Sequence, residues 1–329
     1  MIQRLLDGPT VPYDKAGHER SSALLSLLRY LYAIEYRFVT ISPASHRRVL
    51  ARRVGQPGHS LHDVLGWSMP FGPGTIDPQV ESLLRNAGAL DEAGSGMYRS
   101  RVRVSAVHHR LFLHSAYPTD AEDAVFLGPD SYRFADLVSR ELARTPLAPA
   151  ARIVDIGTGS GVGAIVAADM TPAAEVFMTD INSRALELAQ VNAQAAGLAI
   201  TAREGRNLDG FDGLVDLAIA NPPYVIDPAR RAYRDGGEQK GGQISLEMTR
   251  SALSALKPGG QCILYTGSAI VNGADLLKAA LVDLAIELDC RLRYDELDPD
   301  VFGEELENPD YQDVDRIAVV AAIMTKPSA

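Results

Sequence analysis

Cysteine is nearly absent from this chain, with only Cys262 and Cys290 among 329 residues. That excludes a disulfide scaffold and a cysteine-rich zinc site, and it makes a reducing, cytoplasmic setting the default expectation. Long apolar runs are missing too. None approaches the ~20 residues a membrane helix needs, so no membrane partner is expected. The opening residues are polar and interrupted by Pro9 and Pro12, and do not read as a signal peptide. Histidine is absent after His114, so the second part of the chain has no histidine to serve as a general base.

Three stretches lack charge of one sign. Asp295 to Asp315 holds ten acids and no lysine or arginine, which equals the whole net charge of −10. Tyr36 to His62 carries Arg37, Arg47, Arg48, Arg52, Arg53 and three histidines without an acid. Met97 to His114 carries four arginines and three histidines, again without an acid. The overall acidity disfavours a general nucleic-acid binder. The basic stretches read either as a solvated helix face and a charge-protected strand edge, or as a local surface for phosphate or an acidic partner.

What is present is a globular composition, 46% apolar and 22% charged, in a length that suggests two domains. Ser21–Tyr36 has apolar residues at helical spacing. Ser42–Val54 opens Ser-Pro and reads as a second helix, and Ser60–Trp67 as a short one. Asp77-Pro78 opens a helix that Gly88 stops after about Asn86. Tyr98–Val104 and Arg110–His114 alternate at period two after a Gly94/Gly96 turn. This helix–turn–hairpin order resembles a winged-helix arrangement. Near Val125 the character changes to strands alternating with helices. The strands are Arg152–Ile156, Glu175–Thr179, one ending near Glu204, Val215–Ala220, Gln261–Thr266, Arg291–Tyr294 and Arg316–Met324. The helices are Gly163–Met170, Ile181–Gly197, Ser245–Leu256 and Leu276–Leu284. That alternation predicts an α/β fold with a doubly wound, Rossmann-like parallel sheet. The expected division is an α+β domain over 1–124, for substrate recognition or dimerisation, and the sheet domain over 125–329.

Asp155-Ile156-Gly157-Thr158-Gly159-Ser160-Gly161 joins a buried strand to a helix. Glycines at that turn let backbone approach a ligand closely, at the strand end where open α/β sheets bind. Gly159, Gly161 and Ala164 also satisfy a loose dinucleotide pattern, so the loop alone leaves a nicotinamide dinucleotide open. Asp180 ends the next strand, where a carboxylate can accept both ribose hydroxyls of a nucleoside or cap the following helix.

Asn221-Pro222-Pro223-Tyr224 follows the strand Val215–Ala220. With the glycine loop, Asp180, Tyr233-Arg-Asp-Gly-Gly237 and Leu256-Lys-Pro-Gly-Gly260 in order, residues 125–325 resemble class I S-adenosylmethionine-dependent methyltransferases with the small methyltransferase domain. They are similar above all to release-factor glutamine N-methyltransferases. The resemblance implies S-adenosylmethionine as cofactor, bound by Asp155, Gly157, Thr158, Gly159, Gly161, Asp180, Ile181, Asn207 and Asn221. It implies that Asn221, Pro222 and Tyr224 are catalytic, and that Pro223, Tyr233 and Arg234 meet the substrate. An amide or exocyclic amino nitrogen is a poor nucleophile because its lone pair is delocalised. The Asn221 side-chain oxygen and the Pro222 carbonyl would accept its two N–H bonds and localise that pair, and Tyr224 would stack on its plane. Phe126–Phe134 corresponds to the segment that covers the methionine end in related enzymes, or else merely caps a helix. Arg206 stands where many relatives carry an Asp for adenine, leaving Asn207 or backbone to substitute. The glycine-rich run Tyr233–Gly242 reads as a mobile lid or as a passive loop. The implied acceptor is a protein glutamine or a nucleic-acid base. The alternative is a small-molecule biosynthetic enzyme whose amino-terminal domain covers the pocket or forms a homodimer.

Overall fold

Leu24, Leu27, Leu28 and Leu31 recur at the spacing of one helix face, and all four are buried along α1 (Lys15–Ala33). The computed structural model describes residues 15–227, 230–231 and 233–328. The Pro9/Pro12 stretch, and with it the reading of the first residues as no signal peptide, lies outside them. α2 (Pro43–Ala51) begins as its Ser-Pro opening predicts, with the Ser42 hydroxyl accepting the Ser45 N–H at 3.3 Å. The short helix at Ser60–Trp67 reduces to one wide turn, His62–Gly66, whose Gly66 leaves no room for a Cβ beside the Phe38 ring. α3 (Pro78–Asn86) is capped by Asp77 and ends before Gly88, which takes φ 60°.

The period-two run from Tyr98 to Val104 is two strands rather than one. The Ser100 side chain accepts the Val102 N–H at 3.2 Å and bonds the Val102 carbonyl at 2.7 Å. These local bonds compete with the ladder and turn the chain at Arg101. β2 (Tyr98–Ser100) then pairs with β1 (Leu90–Glu92), while β3 (Val102–Val107) pairs with β4 (Arg110–Ser115).

Beyond Val125 the elements run α4 (Pro129–Arg144), β5 (Arg152–Ile156), α5 (Val162–Met170), β6 (Glu175–Asp180), α6 (Ser183–Ala195), β7 (Ile200–Glu204) and β8 (Val215–Ala220). They continue as α7 (Gln243–Ser254), β9 (Leu256–Val271), the short β10 (Ala274–Asp275), α8 (Leu276–Glu287), β11 (Arg291–Asp298) and β12 (Arg316–Thr325). The sheet order is β7–β6–β5–β8–β9–β12–β11, with β10 added to β9. β12 and β10 run opposite to the other strands, which are all parallel to one another. Successive residues of one strand feed opposite faces. Ile153, Leu217, Ile219, Ile263, Tyr265 and Val319 pack under α4, α5 and α6. Val154, Ala218, Cys262, Leu264, Ala318 and Val320 pack under α7 and α8. Covering both faces is what lets these strands read as continuous apolar runs.

α6 is apolar on two sides. Leu186, Ala189 and Ala193 face the sheet core, while Ala185, Leu188 and Val191 join the core built on α1 and α3. Between the two, buried Asn192 bonds the Leu113 N–H (2.8 Å), the Leu113 carbonyl (3.0 Å) and the Ser160 carbonyl (2.9 Å). One side chain thus ties β4 to the turn after β5.

The amino-terminal basic stretches are only partly surface. Arg47, Arg48 and Arg52 are exposed, but Arg103, His46 and His114 are buried together, with Arg103 3.4 Å from His46 Nδ1. Burial, and then the Arg103 charge, push His46 down to about 4 and His114 well below its ordinary value. A histidine whose folded pKa is depressed adds stability above its unfolded pKa, and that stability is lost as pH falls through the folded value. Thermal unfolding at pH 8 and pH 5 should therefore differ, with on the order of 1–2 kcal/mol lost at pH 5 through His46 alone. His46→Gln should flatten that difference. An equal pH dependence in wild type and variant would refute the assignment.

Candidate active site

The strand order reverses direction between β5 and β8, which is where an open α/β sheet leaves a crevice beyond its carboxyl ends. There, Gly157, Gly159 and Gly161 take φ values of 66°, 55° and 85°, so β5 turns sharply into α5. Asp155 holds this turn from below. Its buried Oδ2 accepts the Thr158 hydroxyl at 2.6 Å and the Ala164 N–H at 2.9 Å. A Cβ on Gly163 would stand 2.8 Å from the same oxygen, so the helix approaches only because 163 is glycine. Burial pushes the Asp155 carboxyl up to about 7.

Asp180 reaches across from the end of β6. Its Oδ2 accepts the Gly159 N–H and its Oδ1 the Asn182 N–H, each at 2.9 Å. The cap of α6 is Asn182, which accepts from Arg184 N at 3.0 Å, so Asp180 is not the capping residue. Ile181 is 50% exposed despite being apolar. Asn207 sits at φ 53° with its carbonyl accepting the Thr179 hydroxyl at 2.9 Å, and Arg206 lies 3.8 Å from Glu247.

Around these groups lies a cavity of about 410 Å³, within the range of small-molecule and cofactor sites. Every site residue singled out by sequence lines it except Gly161. Gly161 is set back, where a Cβ would stand 3.1 Å from the Ala189 Cβ, so its lack of a side chain serves the packing of the loop on α6. Pro43, at the start of α2, also lines the cavity, so the amino-terminal part contributes to its wall.

Asn221 is the first residue after β8, and the turn Asn221–Tyr224 opens on the same cavity. Tyr224 is held on every side. Its hydroxyl donates to buried Asp130 at 2.7 Å, and Asp130 also accepts the Tyr265 hydroxyl at 2.9 Å. Its ring lies against Gly267, where any Cβ would overlap it. This anchoring fixes the orientation of the ring in the cavity wall. The glycine-rich run after Tyr233 packs on the turn Asn221–Tyr224. The Gly236 N–H donates to the Val225 carbonyl at 2.8 Å, and a Cβ on Gly241 would collide with the Tyr224 carbonyl. Its glycines let it lie directly on the Asn221–Tyr224 backbone. Tyr233 stacks on Phe126 (6.4 Å, 18°) and donates its hydroxyl to the Thr119 carbonyl. Arg234 lines the cavity with its guanidinium paired to Glu305 and 3.8 Å from Asp227.

The family description "Methyltransferase small domain" matches residues 130–284. The release factor glutamine methyltransferase of Cereibacter sphaeroides is 33% identical over 238 residues, which cover 68% of this chain and 82% of that protein. The chain belongs to the S-adenosylmethionine-dependent methyltransferases with the small methyltransferase domain. The release factor glutamine methyltransferase of Deinococcus radiodurans is also 33% identical, over 158 residues, 47% of this chain. Against that protein and its counterparts from Geobacter sulfurreducens and Xylella fastidiosa, the chain spans about half of their length (55%, 50% and 52%).

The methyltransferase cavity fits the family's cofactor by its own chemistry. A Cβ on Gly159 would meet nothing within 4 Å, so the loop floor stands open. Asp180 offers carboxylate oxygens for a ribose diol, and exposed Ile181 and the Met248 thioether offer apolar contact for a base. Replacing Asp180 with Ala is expected to weaken S-adenosylmethionine binding about 10²–10⁴-fold, the worth of two hydrogen bonds to a charged group at about 1.5–3 kcal/mol each. Calorimetric titration checks this, and an unchanged affinity would refute the ribose assignment.

Sequence reasoning missed three residues of this site. Asp130 lay inside the singled-out segment Phe126–Phe134, but nothing local says that it meets a tyrosine 94 positions away. Asn192 could have been noticed as an amide between the apolar positions Val191 and Ala193. Phe302 stands in the acidic stretch with no pattern around it.

Proposed function

We propose that this chain methylates the side-chain amide nitrogen of a protein glutamine, using S-adenosylmethionine. One observation carries the reading: Asn221 and Pro222 open on the same cavity as the glycine loop and Asp180, so acceptor-holding and cofactor-holding groups converge on one space. The names of the relatives support a glutamine amide over a nucleobase. S-adenosylmethionine, when bound, supplies a methyl group carried on a positively charged sulfur. The chain's own residues do the rest. The Asn221 amide oxygen and the Pro222 carbonyl accept the two N–H bonds of the acceptor, draw its nitrogen toward a tetrahedral geometry and localise the lone pair there. The ring constraint at Pro222 and Pro223 keeps those oxygens aimed before the substrate arrives, so little reorganisation is needed. Tyr224, fixed by Asp130, closes one side of the slot. Catalysis then rests mainly on alignment, consistent with a domain that has no histidine after His114.

The test incubates the purified chain with methyl-labelled S-adenosylmethionine and a bacterial release factor produced without its methylation. Label at a glutamine, located by mass spectrometry, supports the reading. In a cell extract, label in RNA or only in small molecules would overturn the glutamine assignment and favour the other acceptor classes.

A further inference from the structure

The acidic segment has no part in the reading so far, yet it reaches the cavity. After β11 the chain runs from Pro299 to Asp315 before β12 returns it to the sheet. Phe302, near its head, lines the cavity and lies edge-on to Tyr224, with ring centroids 5.8 Å apart at 62°.

The backbone there is unusual. Phe302 takes φ 55° and ψ 40°, the left-handed region, where a bulky side chain crowds its own backbone. The surroundings hold it in place. The Val301 N–H donates to the Ile317 carbonyl, and the Glu305 N–H to the Phe302 carbonyl, each at 2.8 Å. Three acids of the segment meet cations from other elements: Asp298 bonds Arg133 at 2.8 Å, Glu305 pairs with Arg234, and Asp313 pairs with Lys240 at 2.5 Å. Buried Tyr311 accepts the Ile226 N–H at 2.8 Å, fastening the segment to the chain just past Asn221–Tyr224. None of these bonds uses the phenyl ring. Glycine would take the same backbone without crowding. A ring retained against steric cost, at the wall of a cavity, points to a role in that cavity.

We propose that Phe302 is a specificity-determining residue of the acceptor end. With Tyr224 immobilised by Asp130, the Phe302 ring narrows the slot beside Asn221 and Pro222 to the width of a flat, unsubstituted carboxamide and shuts out wider aromatic amines. This rests on the glutamine reading above. The acidic segment acts as the strap that holds the ring there.

The experiment compares wild type, Phe302→Ala, Phe302→Leu and Phe302→Gly. It measures S-adenosylmethionine affinity by calorimetry and methyl transfer to two acceptors, an unmethylated bacterial release factor and an adenosine-containing RNA oligonucleotide. The expected result is cofactor affinity within about twofold of wild type in all variants. Preference for release factor over RNA falls at least tenfold in Phe302→Ala and Phe302→Gly, chiefly through a gain of methyl transfer to the RNA, with Phe302→Leu between. Phe302→Gly removes both ring and crowding, so its loss of preference, in a protein at least as heat-resistant as Phe302→Ala, separates the wall from the fold. Wild-type preference in Phe302→Gly and Phe302→Leu would overturn the proposal and leave the glutamine reading standing. Wild type that labels RNA alone, or neither acceptor, would overturn both.

Discussion

Replacing Asn221 with Ala is expected to lower methyl transfer by about 10²–10³-fold, the usual effect of deleting one preorganised polar group that acts in the transition state. S-adenosylmethionine affinity should stay within about threefold, because the proposed function assigns the residue's main interaction to the acceptor. The expectation follows from position. Asn221 is the first residue beyond β8, half-buried, on a turn stiffened by two prolines and pressed from behind by the glycine-rich run. In the proposed function its amide oxygen is one of the two acceptors for the substrate nitrogen. Without it the lone pair stays delocalised into the carbonyl, and the nitrogen remains a poor nucleophile. Steady-state kinetics with labelled cofactor, beside a calorimetric titration, separate the two effects. Wild-type turnover in the variant would remove Asn221 from the mechanism.

Asn192→Leu should cost about 3–6 kcal/mol of stability, since it leaves up to three buried backbone groups without partners at 1–3 kcal/mol each. Leucine is close in size, so the loss reports hydrogen bonding rather than a cavity. Those backbone groups belong to Leu113 in β4 and Ser160 in the glycine turn, so the variant should also bind cofactor more weakly. Denaturant unfolding, with and without S-adenosylmethionine, measures both. A loss below 1 kcal/mol would mean that water or a shifted backbone replaces the amide. Asn221 and Asn192 thus make opposite predictions, one on turnover with stability kept, the other on stability and cofactor binding together.

Local features carried much of this architecture. Ser42-Pro43 and Asp77-Pro78 announce helix starts because a side-chain oxygen and a fixed φ act within one turn of chain. Arg152–Ile156 and Val215–Ala220 announce buried parallel strands because both faces are covered. Tyr98–Val104 misled because two-residue alternation is blind to the Ser100 side chain, which diverts the backbone into a second hairpin.

The candidate site divides along the same line. Asp155–Gly161, Asp180 and Asn221–Tyr224 were legible because each is a contiguous run at the end of one strand, and a parallel sheet brings such ends together. Determined by sequence alone, then, were the sheet class, the glycine turn and the strand-end residues that gather at one cavity. Tertiary structure decided that Tyr224 is anchored by Asp130, that Asn192 fastens one hairpin to the glycine turn, that Arg103 and its histidines are buried, and that the acidic strap carries Phe302 to the cavity. The reason is range. Capping, backbone freedom and strand patterning act over a few residues, whereas these four depend on burial and contact between segments that only the closed fold sets side by side.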